Sequence, residues 1–212
     1  MKLTKKKVFV AALAICVIAL LSVSTLAWFQ ASDEVTNYFK VSTDDVTQKP
    51  DFKLDLFEHA VLDDGTLGTN EVETNTYENI APGDVLAKDP TVRNDGQYDQ
   101  WVRVKVTLND YDKWQAVLGT NYDFRALFNV STDWSFDTVT TDATAKTLTL
   151  VYYKDTELTV GATSTLFSTV SIPSEFTVDN MPTEFDLHIV AEAIQADNTG
   201  DSAQFAFANY WD

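Results

Sequence analysis

The sequence predicts an all-β protein, an antiparallel β-sandwich with one or two short helices, and three observations carry that prediction. Val102, Val104, Val106 and Leu108 alternate with Trp101, Arg103, Lys105 and Thr107, the two-residue period of a strand with one buried face. The same alternation sets Phe52, Leu54 and Leu56 against Lys53, Asp55 and Phe57. It also sets Phe185, Leu187, Ile189 and Ala191 against Asp186, His188, Val190 and Glu192. Second, aromatic residues reach 12 % while Gly (7) and Pro (5) are sparse, a balance that favours ordered sheet over disorder. Third, helical spacing is confined to two short stretches.

Further strands are expected at 84–93, 147–153 and 163–172, separated by polar turns such as Asp63-Asp64-Gly65 and Asn94-Asp95-Gly96. Pro90 lies within the first of these and implies an edge position or a bulge, because it has no N–H to give a ladder. The helical stretches are 110–118, with Tyr111, Trp114, Val117 and Leu118 on one face, and the tail after Asp201. There Asp201 is the expected cap, answered by Gln204, and Ala203, Ala206, Phe207, Tyr210 and Trp211 share a face.

Ahead of the sandwich stands an export signal. Lys2, Lys5, Lys6 and Lys7 precede an apolar run without a charge from Val8 to Leu21, and Thr25 and Ala27 are the small residues of a cleavage site. The expected domains are therefore a signal-peptide helix over 1–27 and one sandwich over 28–212, with the cut between Ala27 and Trp28. With Ser22 to Phe29 included the run nearly reaches bilayer length, so an uncleaved anchor is the alternative. Membrane contact is otherwise limited to the precursor. Cys16, the only cysteine, lies in the signal, and Ile15 before it does not suit lipid attachment, so residues 28–212 hold no thiol for a disulfide. The signal removes four of the 15 Lys+Arg and none of the 32 Asp+Glu, which leaves a formal charge of −21. Nucleic acid and anionic membrane surfaces repel such a chain.

Thr25-Leu26-Ala27-Trp28-Phe29-Gln30-Ala31-Ser32-Asp33-Glu34-Val35 resembles the junction of exported proteins cut by the SipW-type signal peptidase of Gram-positive bacteria, the group of TasA and camelysin. Asn79-Ile80-Ala81-Pro82-Gly83-Asp84 leading to Arg93-Asn94-Asp95-Gly96, and the closing strand 185–196, resemble the same group. The resemblance implies a jelly-roll-like sandwich and a secreted or cell-surface protein of the biofilm matrix. It also implies a homo-oligomer or a matrix protein as partner. Camelysin carries a metallopeptidase label, which makes an extracellular metallopeptidase the alternative.

The residues give that alternative little chemistry. Histidines number two, His59 and His188, and Asp55-Leu56-Phe57-Glu58-His59 departs from H-x-x-E-H at its first position. On a strand, Asp55 and His59 stand about 13 Å apart on one face with Glu58 on the other, which cannot close on one zinc ion. His188, on the face opposite the core, reads as a solvated or pairing residue. The acidic loops at 43–45, 62–65 and 94–99 miss the EF-hand pattern and read as turns. No serine sits in G-x-S-x-G. The expectation is a protein that is not an enzyme and holds no cofactor or metal. A third reading is a sugar-binding or adhesive module, for which Trp101, Trp134, Tyr152 or Tyr153, Tyr210 and Trp211 are the aromatic candidates.

The first segment after the cut suggests assembly. Phe29, Ala31, Val35, Phe39 and Val41 share one strand parity, interrupted by Asp33 and Asn37. Such a strand can complete a neighbour's sheet and give an open-ended fibre, while in an isolated monomer it is expected to pair with its own domain.

Overall fold

The computed structural model describes residues 30–34, 52–182 and 184–211. In chain order its elements are β1 (Gln30–Glu34), β2 (Leu54–Val61), β3 (Leu67–Val72), β4 (Val85–Ala87), β5 (Thr91–Asn94), β6 (Gln100–Leu108) and α1 (Tyr111–Leu118). There follow β7 (Phe128–Val130), β8 (Trp134–Asp142), β9 (Thr147–Lys154), β10 (Thr163–Thr165), β11 (Phe167–Ser171), β12 (Leu187–Gln195) and α2 (Ala203–Tyr210). The fold is all-β, with three antiparallel sheets and two short α-helices among the described residues.

One layer is a five-stranded sheet in the order β1-β12-β6-β9-β8. Its inner neighbours are distant in sequence because the chain crosses between layers on either side of β6, the habit of a jelly-roll-like sandwich. The other two sheets, β10-β5-β2-β3 and β4-β11-β7, share one bent ribbon. Thr163↔Arg93, Ser164↔Val92 and Thr165↔Thr91 continue without a slip as Thr169↔Ala87, Val170↔Leu86 and Ser171↔Val85. The Leu166 N–H donates to the Pro90 carbonyl at 2.9 Å, and the Lys88 N–H to the Ser168 carbonyl at 3.2 Å, so pairing crosses the bend. The strands expected at 84–93 and 163–172 are thus each divided between two sheets. Pro90 marks the bend, neither an edge nor a bulge, and its carbonyl stays in the ladder although it has no N–H.

The core lies between the layers. Val102, Val104 and Val106 of β6, with Leu150 of β9 and Ile189 of β12, meet Leu54 and Leu56 of β2, Val92 of β5 and Val170 of β11. One end is closed by α1, whose buried Trp114 takes Phe176 and Phe185 edge-on at 5.2 and 5.0 Å. The outer face of the five-stranded sheet has its own cluster, in which Trp101, Val151, Tyr153 and Ile194 lie under Ala203, Ala206 and Phe207 of α2. Burial of each large side chain there contributes roughly 1.5 to 3 kcal/mol, enough to hold a helix too short to persist alone. Its N-cap is Ser202, whose Oγ accepts from the Phe205 N–H at 3.3 Å, in place of the expected Asp201. Arg103 spans sheet and helix, donating to Glu192 at 2.6 Å with its guanidinium 4.2 Å from the Phe207 ring.

Candidate functional site

Glu58 sets up the principal site. It continues the inward parity of Leu54 and Leu56 on β2, which places a carboxylate where the pattern otherwise puts leucine, and it is fully buried. Two neighbours satisfy it. Lys88, just past β4, donates from Nζ to Oε1 at 2.5 Å, and Asn75, on the loop after β3, donates from Nδ2 to Oε2 at 3.0 Å. Asn75 is itself fixed by the backbone of β2, because Nδ2 also donates to the His59 carbonyl at 2.9 Å while Oδ1 accepts from the Val61 N–H at 2.9 Å. Those two backbone groups are available because the β2–β3 register shifts between His59 and Val61.

Above this cluster opens a cleft of about 540 Å³. Asn75, Tyr77, Leu86 and Lys88 form one wall, and Asn109 with residues 185–188 the other. Tyr77 donates to the Ala87 carbonyl at 2.6 Å, and burial, reinforced by the charges of Glu58 and Asp89, holds its phenol well above the usual range. Next to the cluster, His59 Nδ1 lies 2.6 Å from Asp89 Oδ2, and the His59 backbone N–H donates to Asp89 Oδ1 at 2.9 Å. The cleft therefore presents the Lys88 amine and the Tyr77 phenol beside the apolar side chains of Ile80, Leu86 and Val170.

A second, shallower hollow of about 550 Å³ lies between β7 and β8. The Arg125 guanidinium sits there 4.7 Å from the Phe136 ring centroid and is held by Asp123. Tyr152, also on this hollow, has its phenol pushed up to about 12 by burial, and its hydroxyl has no hydrogen-bond partner among the described residues.

Of the residues expected to drive assembly, Ala31 lies in β1 with its backbone opposite Ala193. Ala27, Trp28, Phe29, Val35, Phe39 and Val41 lie outside the described residues. β1 forms the edge of its sheet and pairs with β12 from Gln30↔Ile194 to Glu34↔Val190. The acidic loop at 43–45 is likewise outside the described residues. In the other two loops the acids close local structure or join ion pairs. Asp64 accepts from the Thr66 hydroxyl and N–H, which holds its carboxyl below the ordinary value, Asp95 pairs with Lys53, and Asp99 accepts from the Val160 N–H.

The sugar-binding aromatics require correction. Trp101, Trp134, Tyr152 and Tyr153 are all buried, and Tyr210 and Trp211 pack against the cluster under α2. They fill the core and the helix interface and form no exposed stacking platform. Asp55, Glu58 and His59 lie on one strand and go to three different partners, Arg93, Lys88 and Asp89. Among the described residues no group of three potential ligands is placed to hold a metal ion.

Sequence reasoning missed the convergence of Glu58, Asn75 and Lys88, whose separations match no motif. The available signal was a glutamate at a core parity, which implies a buried cation nearby. Comparison with known proteins finds no match to this chain, whether by family model, by sequence or by solved structure.

Proposed function

We propose that this chain is an exported structural protein of the extracellular matrix of a Gram-positive bacterium, a fibre subunit that assembles by donating its N-terminal strand to a neighbour. The observation that carries the reading is β1, an edge strand paired with β12 along five residues. An edge strand held through its backbone can be exchanged for the same strand of another molecule at little net cost in bonding, because every ladder bond lost in one subunit is regained in the next. Residues 35–53 join β1 to β2, and 19 residues can extend to roughly 60 Å, far enough to reach an adjacent subunit. The export signal and the resemblance to TasA support the same reading, with the SipW-type peptidase freeing the strand. Exchange places each strand in the next subunit along, so the assembly is head-to-tail and open-ended.

The test compares full-length processed protein with a truncation lacking residues 28–41. Light scattering and electron microscopy across pH 4.5 to 7.5 and a range of salt should show fibres only for the full-length form, favoured by salt or by pH near the sequence pI of about 4.3, where repulsion weakens. Phe29→Asp with Phe39→Asp should weaken the fibres strongly. Equal fibre formation by the truncation, or monomer under every condition, overturns the proposal.

A further inference from the structure

The cluster of Glu58, Lys88 and Asn75 at the cleft brings together an amine, a carboxamide and a carboxylate that touches both. We propose that these residues form an intramolecular amide cross-link between Lys88 Nζ and Asn75 Cγ, with Glu58 as the catalytic proton carrier. The inference does not depend on fibre assembly.

Geometry supplies a shared carboxylate, a donor at the carboxamide oxygen and an exit for the leaving group. Lys88 Nζ is 2.5 Å from Oε1 and Asn75 Nδ2 is 3.0 Å from Oε2, so the nucleophile and the leaving group share one carboxylate. The Glu58 side chain is fully buried and that of Lys88 is 11 % exposed, which shields this ion pair from water. Asn75 Oδ1 already accepts from the Val61 N–H at 2.9 Å, and that donor is aimed at the oxygen on which negative charge develops when Cγ is attacked. Asn75 and Lys88 both line the cleft, so released ammonia has a way out.

The reaction balances without any co-reactant. Proton transfer from the Lys88 ammonium to Glu58 converts the ion pair into a neutral amine and a carboxylic acid, a conversion that burial favours because neither product carries charge. The Nζ lone pair then forms a bond to Asn75 Cγ, and the carbonyl π-electrons move to Oδ1, under the Val61 N–H. As the Cγ–Nδ2 bond breaks, Glu58 delivers its proton to Nδ2 and accepts a second from Nζ, and Nδ2 departs as ammonia. The product amide keeps one N–H, and Glu58 passes its remaining proton to ammonia or water.

A link here ties the loop after β3 to the end of β4 within one layer, in a region with no cysteine to do so. It also fits the irregular pairing of β2, since the side chain that fills the register shift becomes one end of the bond.

Peptide mapping by mass spectrometry of the purified full-length protein tests the proposal and is unaffected by signal removal. After cleavage between the two residues, at Glu78, the expected result is a branched peptide containing Asn75 and Lys88, lighter than the sum of its two free parts by one ammonia, about 17 Da. Trypsin should fail to cut after Lys88. Glu58→Gln and Lys88→Arg should each restore the unbranched mass, and Lys88 in Glu58→Gln should become open to trypsin. Unlinked wild-type peptides with Asn75 intact overturn the proposal, as does conversion of Asn75 to aspartate by water. A linked peptide persisting in Glu58→Gln removes Glu58 from the reaction. The wild-type measurement decides for or against the link even where a variant fails to fold.

Discussion

Phe207→Ala tests how the C-terminal helix is held, and Phe205→Ala is its control two residues away on the same helix. Phe207 is 4 % exposed, with its ring 5.6 Å from Tyr153, 5.2 Å from Trp211 and 4.2 Å from the Arg103 guanidinium. Phe205 is 48 % exposed. Truncation of a buried Phe to Ala costs about 3 to 5 kcal/mol, and the lower end applies here because a surface helix can settle toward the gap. Loss of the cation–π contact is partly offset, since Arg103 keeps Glu192 and its 5.4 Å approach to Trp211. The expected destabilisation is about 3 kcal/mol, which lowers Tm by about 6 to 12 °C in a domain of this size. Phe205→Ala should cost less than about 1 kcal/mol, because half its surface already meets water. Thermal melts followed by circular dichroism, checked by urea titration, read both variants. Equal shifts for the two, or a loss below about 1 kcal/mol for Phe207→Ala, would refute the view that α2 is anchored by this ring.

Acid should act on stability in two stages. As pH falls from 7 toward the sequence pI of about 4.3, the net negative charge shrinks and Tm should hold or rise. Glu71 is held below its ordinary value by Arg93, Asp123 by Arg125, and Asp142 by the N–H groups of Ala145 and Thr144. Each contributes stability above its unfolded value that is lost as pH falls through the lower folded value, so Tm should drop below about pH 4. A Tm that climbs continuously to pH 3 would contradict this sign. Tyr152→Phe removes a buried hydroxyl that has no partner among the described residues, and should leave Tm unchanged or slightly raised. A loss above about 1 kcal/mol would show that the hydroxyl has a bonding role.

Alternation was enough to find β6, β9 and β12, because their inner faces meet the core without interruption and a two-residue period survives in the sequence. It could not show that Trp101 and Tyr153, on the outer face, are as buried as Val102, since their cover comes from α2, about 100 residues after Trp101. β8 escaped detection for the opposite reason. From Asp137 to Asp142 every residue is exposed, so no buried face imprints a pattern. The division of 84–93 and 163–172 was signalled only by Pro90, whose missing donor fits an edge, a bulge or a bend equally well. At the candidate site, Glu58 broke the apolar parity of its strand in plain view, whereas its partners depended on the return of the chain through β3 and β4.

The bent ribbon has a consequence for how faithfully the chain finds its native pairing. Each half has three paired residues on either side, too few to define alignment strongly by itself. Joined by the Leu166–Pro90 and Lys88–Ser168 bonds, they become one nine-residue ladder whose two halves cannot slip separately. A shift by a single residue would turn Val92 and Val170 out of the core together, in two different sheets, and would leave the Pro90 carbonyl facing the wrong donor. An alignment error anywhere along the ladder is therefore felt twice, and the two sheets of this layer should open to solvent exchange as one cooperative unit.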